Sequence, residues 1–308
     1  MSIMMGVTIG VGTYYGQLAE LAAKAVQEKT GVKTVILDDE HFTQSGLPAP
    51  HHLKLRMFDL VDTDSIVYFD ADMACLKPWK PQRFENSEAV VAVAESARPL
   101  HVHTAQDWGI PVEQYFNAGL MILNRKHHQG WLRETERFVL TDTKFKEYDP
   151  LDQAALNIIR QRLGVKLELL DRRYNWIGYG VGRLCYEVPV FMAHTLKPEN
   201  KFANIDFFEG RYKPPFDWHI EINEDEMNEL KNHSLCLKTG GAETLLRFNP
   251  DGTIGTPYYG DFGQYWFVHN RAGTPLLAIC SEVQILREFR KTPQGYWQST
   301  QRLELIAG

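Results

Sequence analysis

The stretch Ile66-Val67-Tyr68-Phe69-Asp70-Ala71-Asp72 decides how this chain is read. Its first four residues are apolar or aromatic without alternation, the pattern of a strand buried on both faces in the middle of a mostly parallel sheet. Two aspartates one residue apart end it. In extended backbone, positions i and i+2 project to the same side. Asp70 and Asp72 are therefore expected to converge at the C-terminal edge of the strand, where open α/β sheets bind ligands. Neighbouring carboxylates repel each other, a divalent cation relieves the repulsion, and oxygen ligation suits Mg²⁺ or Mn²⁺. An Asp-x-Asp triplet alone is unspecific; its place behind a buried strand gives it weight.

Strand and helix patterns alternate on both sides of this stretch. Val7 to Val11 reads as a strand running into a glycine turn, Gln17 to Lys29 as a helix stopped by Gly31, and Thr34 to Leu37 as a second strand. His51 to Leu60 reads as a helix before the aspartate strand. Ala89 to Ala94, Leu120 to Leu123, Val165 to Leu170 and Val188 to Met192 read as later strands, with helices over Gly130 to Thr141 and Leu151 to Arg162. Such alternation implies an α/β fold: a Rossmann-like mixed sheet, mostly parallel, flanked by helices. Glu95 to Glu113 lacks periodicity and reads as a long loop near the site. His51-His52, His127-His128, His101 and His103 read as surface or loop residues.

Beyond Asn223 to Lys231, a short acidic helix, the character changes. Thr244 to Phe248, Gln264 to His269, Leu276 to Ile279, Val283 to Phe289 and Tyr296 to Leu305 are strand-like runs separated by Asp251-Gly252, Ala272-Gly273 and Gln294-Gly295. They predict a small antiparallel β module over 236–308, following a catalytic domain over 1–235.

A net charge of −6 and an isoelectric point of about 6.0 argue against a nucleic-acid partner, which would favour a basic face. Cys75, Cys185, Cys236 and Cys280 are too dispersed for a zinc or redox pair and read as reduced, which suggests a cytoplasmic protein. The N-terminus has no signal-peptide pattern, and no apolar run has the length of a membrane span. A lipid acceptor would be met peripherally. A homo-oligomer is compatible with all of this.

Several motifs together resemble glycosyltransferase family eight, the GT-A fold group that includes glycogenin and bacterial lipopolysaccharide galactosyl- and glucosyltransferases. The aspartate pair comes first. Tyr115-Phe116-Asn117-Ala118-Gly119-Leu120-Met121-Ile122-Leu123-Asn124 is similar to the family's Phe-Asn-(Ala/Ser)-Gly strand. Asp152-Gln153, with Leu156-Asn157 behind it, resembles the Asp-Gln segment; Tyr174-Asn175 and the late histidine, His194, follow in order. The resemblance spans roughly residues 5 to 205.

The resemblance implies a retaining transferase that moves a hexose from a UDP-sugar to a glycan, lipid or protein acceptor. Asp70, Asp72 and His194 would ligate Mn²⁺ or Mg²⁺. Lys54 would touch the diphosphate, Asn117 and Asp152 the hydroxyls of the donor sugar, and Gln153 would lie near the anomeric carbon. The base would sit by Val11, Gly12, Thr13 and Tyr14, with Tyr14 or Tyr15 stacking on it and Asp39, or its neighbour Asp38, facing base or ribose; Ala71 lies between the aspartates. One departure is His194-Thr195-Leu196-Lys197-Pro198-Glu199-Asn200-Lys201-Phe202, which lacks the family's glycine and tryptophan and leaves Lys197 and Lys201 as two candidates for the leaving diphosphate. Two other readings stand beside this one. A sugar nucleotidyltransferase would want a basic glycine loop after the first strand, and Gly10 to Tyr15 holds no Lys or Arg. A non-catalytic carbohydrate-binding protein would leave Asn117, Asp152 and Gln153 without a shared task.

Overall fold

The computed structural model describes residues 3–95, 99–143, 145, 152–178, 191–195, 221–231, 234–239, 242–248, 254–255, 265–271, 274–280, 285–293 and 297–299. In chain order, β1 (Met4–Ile9), α1 (Thr13–Thr30), β2 (Thr34–Leu37) and α2 (Asp39–Ser45) precede a 3₁₀ segment, Pro50–Arg56, that runs into α3 (Met57–Leu60). Then come β3 (Ser65–Phe69), β4 (Met73–Cys75), β5 (Val90–Ala94), α4 (Pro99–Asp107), β6 (Phe116–Asn124), α5 (Arg125–Thr141), α6 (Asp152–Leu163), β7 (Leu167–Leu170), β8 (Trp176–Gly178) and β9 (Met192–Thr195).

The main sheet has the order β2-β1-β3-β6-β5-β7. All neighbours are parallel except β6, which runs antiparallel to both β3 and β5. β3 is central, and the period-two geometry of a strand explains its unbroken apolar run. Ile66 and Tyr68 pack into one core with Leu53, Met57, Trp131 and Leu156, while Val67 and Phe69 pack into the other with Ala22, Val26 and Met192. A small second sheet, β4-β9-β8, sits beside the C-terminal end of β3.

Three local expectations are corrected. Glu95 to Glu113 contains α4 and a short 3₁₀ turn at Val112–Gln114 rather than loop alone. His51 to Leu60 begins as 3₁₀ helix, and Pro50, which lacks an N–H, is tolerated at its first position. His52 and His128 are buried, not at the surface.

The tail contains β10 (Glu221–Ile222), α7 (Glu224–Leu230), β11 (Ser234–Thr239), β12 (Ala242–Phe248), β13 (Ile254–Gly255), β14 (Tyr265–Arg271), β15 (Thr274–Cys280), β16 (Ile285–Lys291) and β17 (Trp297–Ser299). These strands form two antiparallel sheets, β10-β14-β15-β16-β17 and β11-β12-β13. The ladder between β14 and β15 runs from Tyr265–Cys280 to Arg271–Thr274. Pairing of β10 with β14 attaches residues 221–222 to the tail sheet. Lys291 Nζ lies 2.6 Å from Glu226 and 3.2 Å from Glu229 of α7. Arg173 bridges Asp171 (2.8 Å) and Glu224 (3.0 Å), an ion pair between the α/β part and α7.

Candidate metal and nucleotide-sugar site

The chain leaves β3 through a tight turn, not in extended conformation. Asp70 N–H donates to Gly119 O (2.8 Å), and Met73 N–H donates back to Asp70 O (3.0 Å). The expected i, i+2 alternation therefore does not bring the carboxylates together; the turn does. It also launches β4, whose Met73 pairs with His194 of β9, so a main-chain ladder delivers the imidazole beside the aspartates. His194 Nε2 lies 3.3 Å from Asp72 Oδ1 and 3.7 Å from Asp70 Oδ2. One donor atom from each residue falls within 4.8 Å of the others.

This donor set fits a divalent cation. His194 is 3% exposed, and its Nε2 is buried without a hydrogen-bond partner, an arrangement that a cation would satisfy. Two carboxylates and one imidazole suit Mn²⁺ or a similar ion. Burial by itself would lower the imidazole pKa; Asp72 and then Asp70 outweigh it and hold His194 above its ordinary value. Burial likewise pushes the Asp70 carboxyl up, but Lys54, with help from His194 and the Tyr68 hydroxyl, holds it below the usual range.

Lys54 is buried. Its ammonium lies 2.7 Å from Asp152 Oδ2 and 3.4 Å from Asp70 Oδ1, donates to Ala118 O (3.2 Å) and sits 4.6 Å above the Tyr68 ring. It thus ties the first turn of α6 to the aspartate turn. Asp152 is the first residue of α6 and pairs with Lys54.

Asn117 and Gln153 meet across β6 and α6. Asn117 Nδ2 and Gln153 Nε2 both donate to Glu95 Oε2, at 2.7 and 2.8 Å. Ala118 N–H donates to Gln153 Oε1 (3.0 Å). Behind them Asn157 grips the Phe116 main chain, accepting from its N–H and donating to its carbonyl, each at 2.9 Å. Gly119 permits this packing: a Cβ there would fall 2.5 Å from His194 Cε1 and 2.8 Å from Asn117 Oδ1.

Beside the aspartates lies a cleft of about 340 Å³ lined by Ile9, Val11, Tyr15, Pro50, His51, Tyr68 and Asp70 to Asp72. Tyr15 is half exposed there, whereas Tyr14 packs against Leu18, Ala19 and Ala71. Gly12 has φ of 79°, a left-handed value that favours glycine, and its N–H donates to both Asp39 oxygens at 3.1 Å. Asp39 thereby braces the turn in which Val11, Gly12 and Thr13 lead into α1. Lys197 and Lys201 lie outside the described residues. Glu95, Tyr68 and His51 are additions that sequence reasoning did not single out; Glu95 follows a strand of five buried residues, the same strand-end position as Asp70, and that was the available signal.

The sequence model of glycosyl transferase family 8 matches residues 18–219. Comparison with curated proteins finds no match. Among solved structures, apo WbbM, a bifunctional glycosyltransferase, matches with a TM-score of 0.51 at 14% identity over 67% of this chain and 50% of its own. An active-site mutant of LgtC gives 0.50 at 15% identity over 69% and 98%. The galactosyltransferase LgtC with donor and acceptor sugar analogues gives 0.47 at 16% identity over 70% and 99%. At such identities the WbbM structure and the LgtC mutant speak for the GT-A fold alone, but the family match covers more than half of the sequence, and on it the chain belongs to glycosyl transferase family 8.

Proposed function

We propose that this glycosyltransferase moves a hexose from a UDP-sugar to a glycan, lipid or protein acceptor, with retention of anomeric configuration and with Mn²⁺ or Mg²⁺ as cofactor. The observation that carries the reading is the convergence of Asp70, Asp72 and the buried His194 Nε2 at one wall of a cleft. Asp70, Asp72 and His194 hold the cation, which when bound stabilises the charge of the departing diphosphate. The cleft takes the nucleoside, with Tyr15 stacking on the base. Asp152 and Asn117 meet the hydroxyls of the donor sugar. Gln153, anchored through Glu95 and the β6 main chain, faces the anomeric centre. Lys54 is buried and holds Asp152 and Asp70 in place, so Lys197 and Lys201 remain the two candidates for the diphosphate. We propose that the catalytic unit ends before Glu221, a reading supported by the pairing of β10 with β14 and of Lys291 with Glu226 in α7. Among the described residues no helix is long and apolar enough to cross a membrane; we place the protein in the cytoplasm, with any lipid acceptor met peripherally.

Incubation with UDP-glucose and UDP-galactose, with and without Mn²⁺, tests the proposal. Metal-dependent release of UDP is expected; release that ignores both metal and chelator would sink the metal-dependent reading.

A further inference from the structure

The buried amides around the site form a directed chain whose polarity can be read without assumption. Gly119 N–H can only donate, and it donates to Asn117 Oδ1 (2.8 Å). With Oδ1 fixed in this way, the other amide atom, Asn117 Nδ2, donates to Glu95 Oε2 (2.7 Å). Two partners thus hold the Asn117 amide. The Asn175 amide then has one orientation open to it: Nδ2 donates to Asn117 Oδ1 (2.7 Å), leaving Asn175 Oδ1 to face His194 Nδ1 at 3.0 Å. An oxygen there requires a proton on Nδ1. Asn175 is fully buried, so water does not compete for the contact.

We infer that Asn175 is a positioning residue that locks His194 in the Nδ1–H tautomer, keeping the Nε2 lone pair aimed at Asp70 and Asp72. The inference rests on the metal-binding reading above and names the residue that sets its third ligand. Partners of this kind fix the orientation and tautomer of a ligating histidine, and losing one costs about 10–100-fold in metal affinity.

The test uses the full chain. Two-bond ¹⁵N–¹H correlation spectra of the metal-free protein, followed through a pH titration and read on the alkaline side of the His194 transition, report the tautomer directly; Mn²⁺ titration calorimetry reports affinity. Wild type should show Nδ1–H alone. Asn175→Leu removes the acceptor: mixed tautomers and a fall of about 10–100-fold in Mn²⁺ affinity are expected. Asn175→Asp keeps an acceptor but loses the bond to Asn117; it should lose stability yet hold Nδ1–H and stay within about threefold of wild-type affinity, a split that a merely structural role would not produce. Nε2–H in wild type overturns the lock even if no variant folds, and so does unchanged tautomer and affinity in Asn175→Leu. Wild type that shows Nδ1–H but binds no Mn²⁺ upholds the lock and breaks the metal reading.

Discussion

Two buried histidines at opposite ends of β6 make opposite use of the same ring. His128, at the C-terminal end, accepts from Asn124 N–H at Nδ1 (2.8 Å) and faces Glu88 O at Nε2 (3.3 Å), so both nitrogens are occupied. Around it the polar groups also close on each other: Asn124 caps α5 and reaches Glu85 O, and Arg125 donates to the carbonyls of Phe58, Val61 and Thr63. His194, beside the N-terminal end, gives one nitrogen to Asn175 and leaves the other bare against two carboxylates. A closed network stabilises the fold. An open one, with like charges gathered round an unsatisfied atom, is kept where a ligand completes it.

That contrast breaks most easily at Asp72. Asp72→Asn should lower kcat/KM on the order of 10³-fold, about 4 kcal/mol of transition-state stabilisation, while leaving the melting temperature unchanged or raised because carboxylate repulsion is relieved. A large loss of thermal stability would make the aspartate pair part of the scaffold.

At the closed end the expected effects fall on stability. Burial depresses the His128 pKa from 6.5 to about 4. The unfolded chain takes up this proton below about pH 6.5 and the folded chain only near pH 4, so the contribution is complete above pH 6.5 and is lost as pH falls through that window, to a total of about 3 kcal/mol. Urea unfolding from pH 7 to 4 should show the decline, and His128→Gln should flatten it. Arg125→Ala strands three carbonyls, one side chain being partly solvated, and should cost about 2 kcal/mol with Mn²⁺ affinity intact. The smallest effect sharpens the cleft itself: Tyr15→Ala should weaken UDP binding by about 1 kcal/mol, read by calorimetry, with no change in unfolding.

Much of this was legible in the chain. The β3 run and its aspartates stand next to each other, so a local pattern carries both, and helices α1 and α5 were visible from their buried stripes, Leu18, Ala22 and Val26 in one and Trp131, Leu132 and Phe138 in the other. The convergence of the carboxylates was expected for the wrong local reason, because a turn closed by one main-chain hydrogen bond has no signature beyond the residues themselves. The union of Lys54 with Asp152, and the amide chain through Glu95, Asn117 and Asn175, join segments far apart in sequence. Each looks locally like a surface charge or a turn residue, and only tertiary pairing reveals the task. His128 was misread for the same reason: the carbonyl and the N–H that make its burial tolerable come from Glu88 and Asn124, and neither is visible from position 128 alone.

The pairing of β4 with β9 has a consequence for biosynthesis. A chain made only as far as Gly178 already contains every strand of the six-stranded sheet, both aspartates and the Lys54–Asp152 bridge, yet it has no imidazole to place beside Met73. The cluster of Asp70, Asp72 and His194 therefore cannot assemble until synthesis has passed residue 194, long after both aspartates have been made.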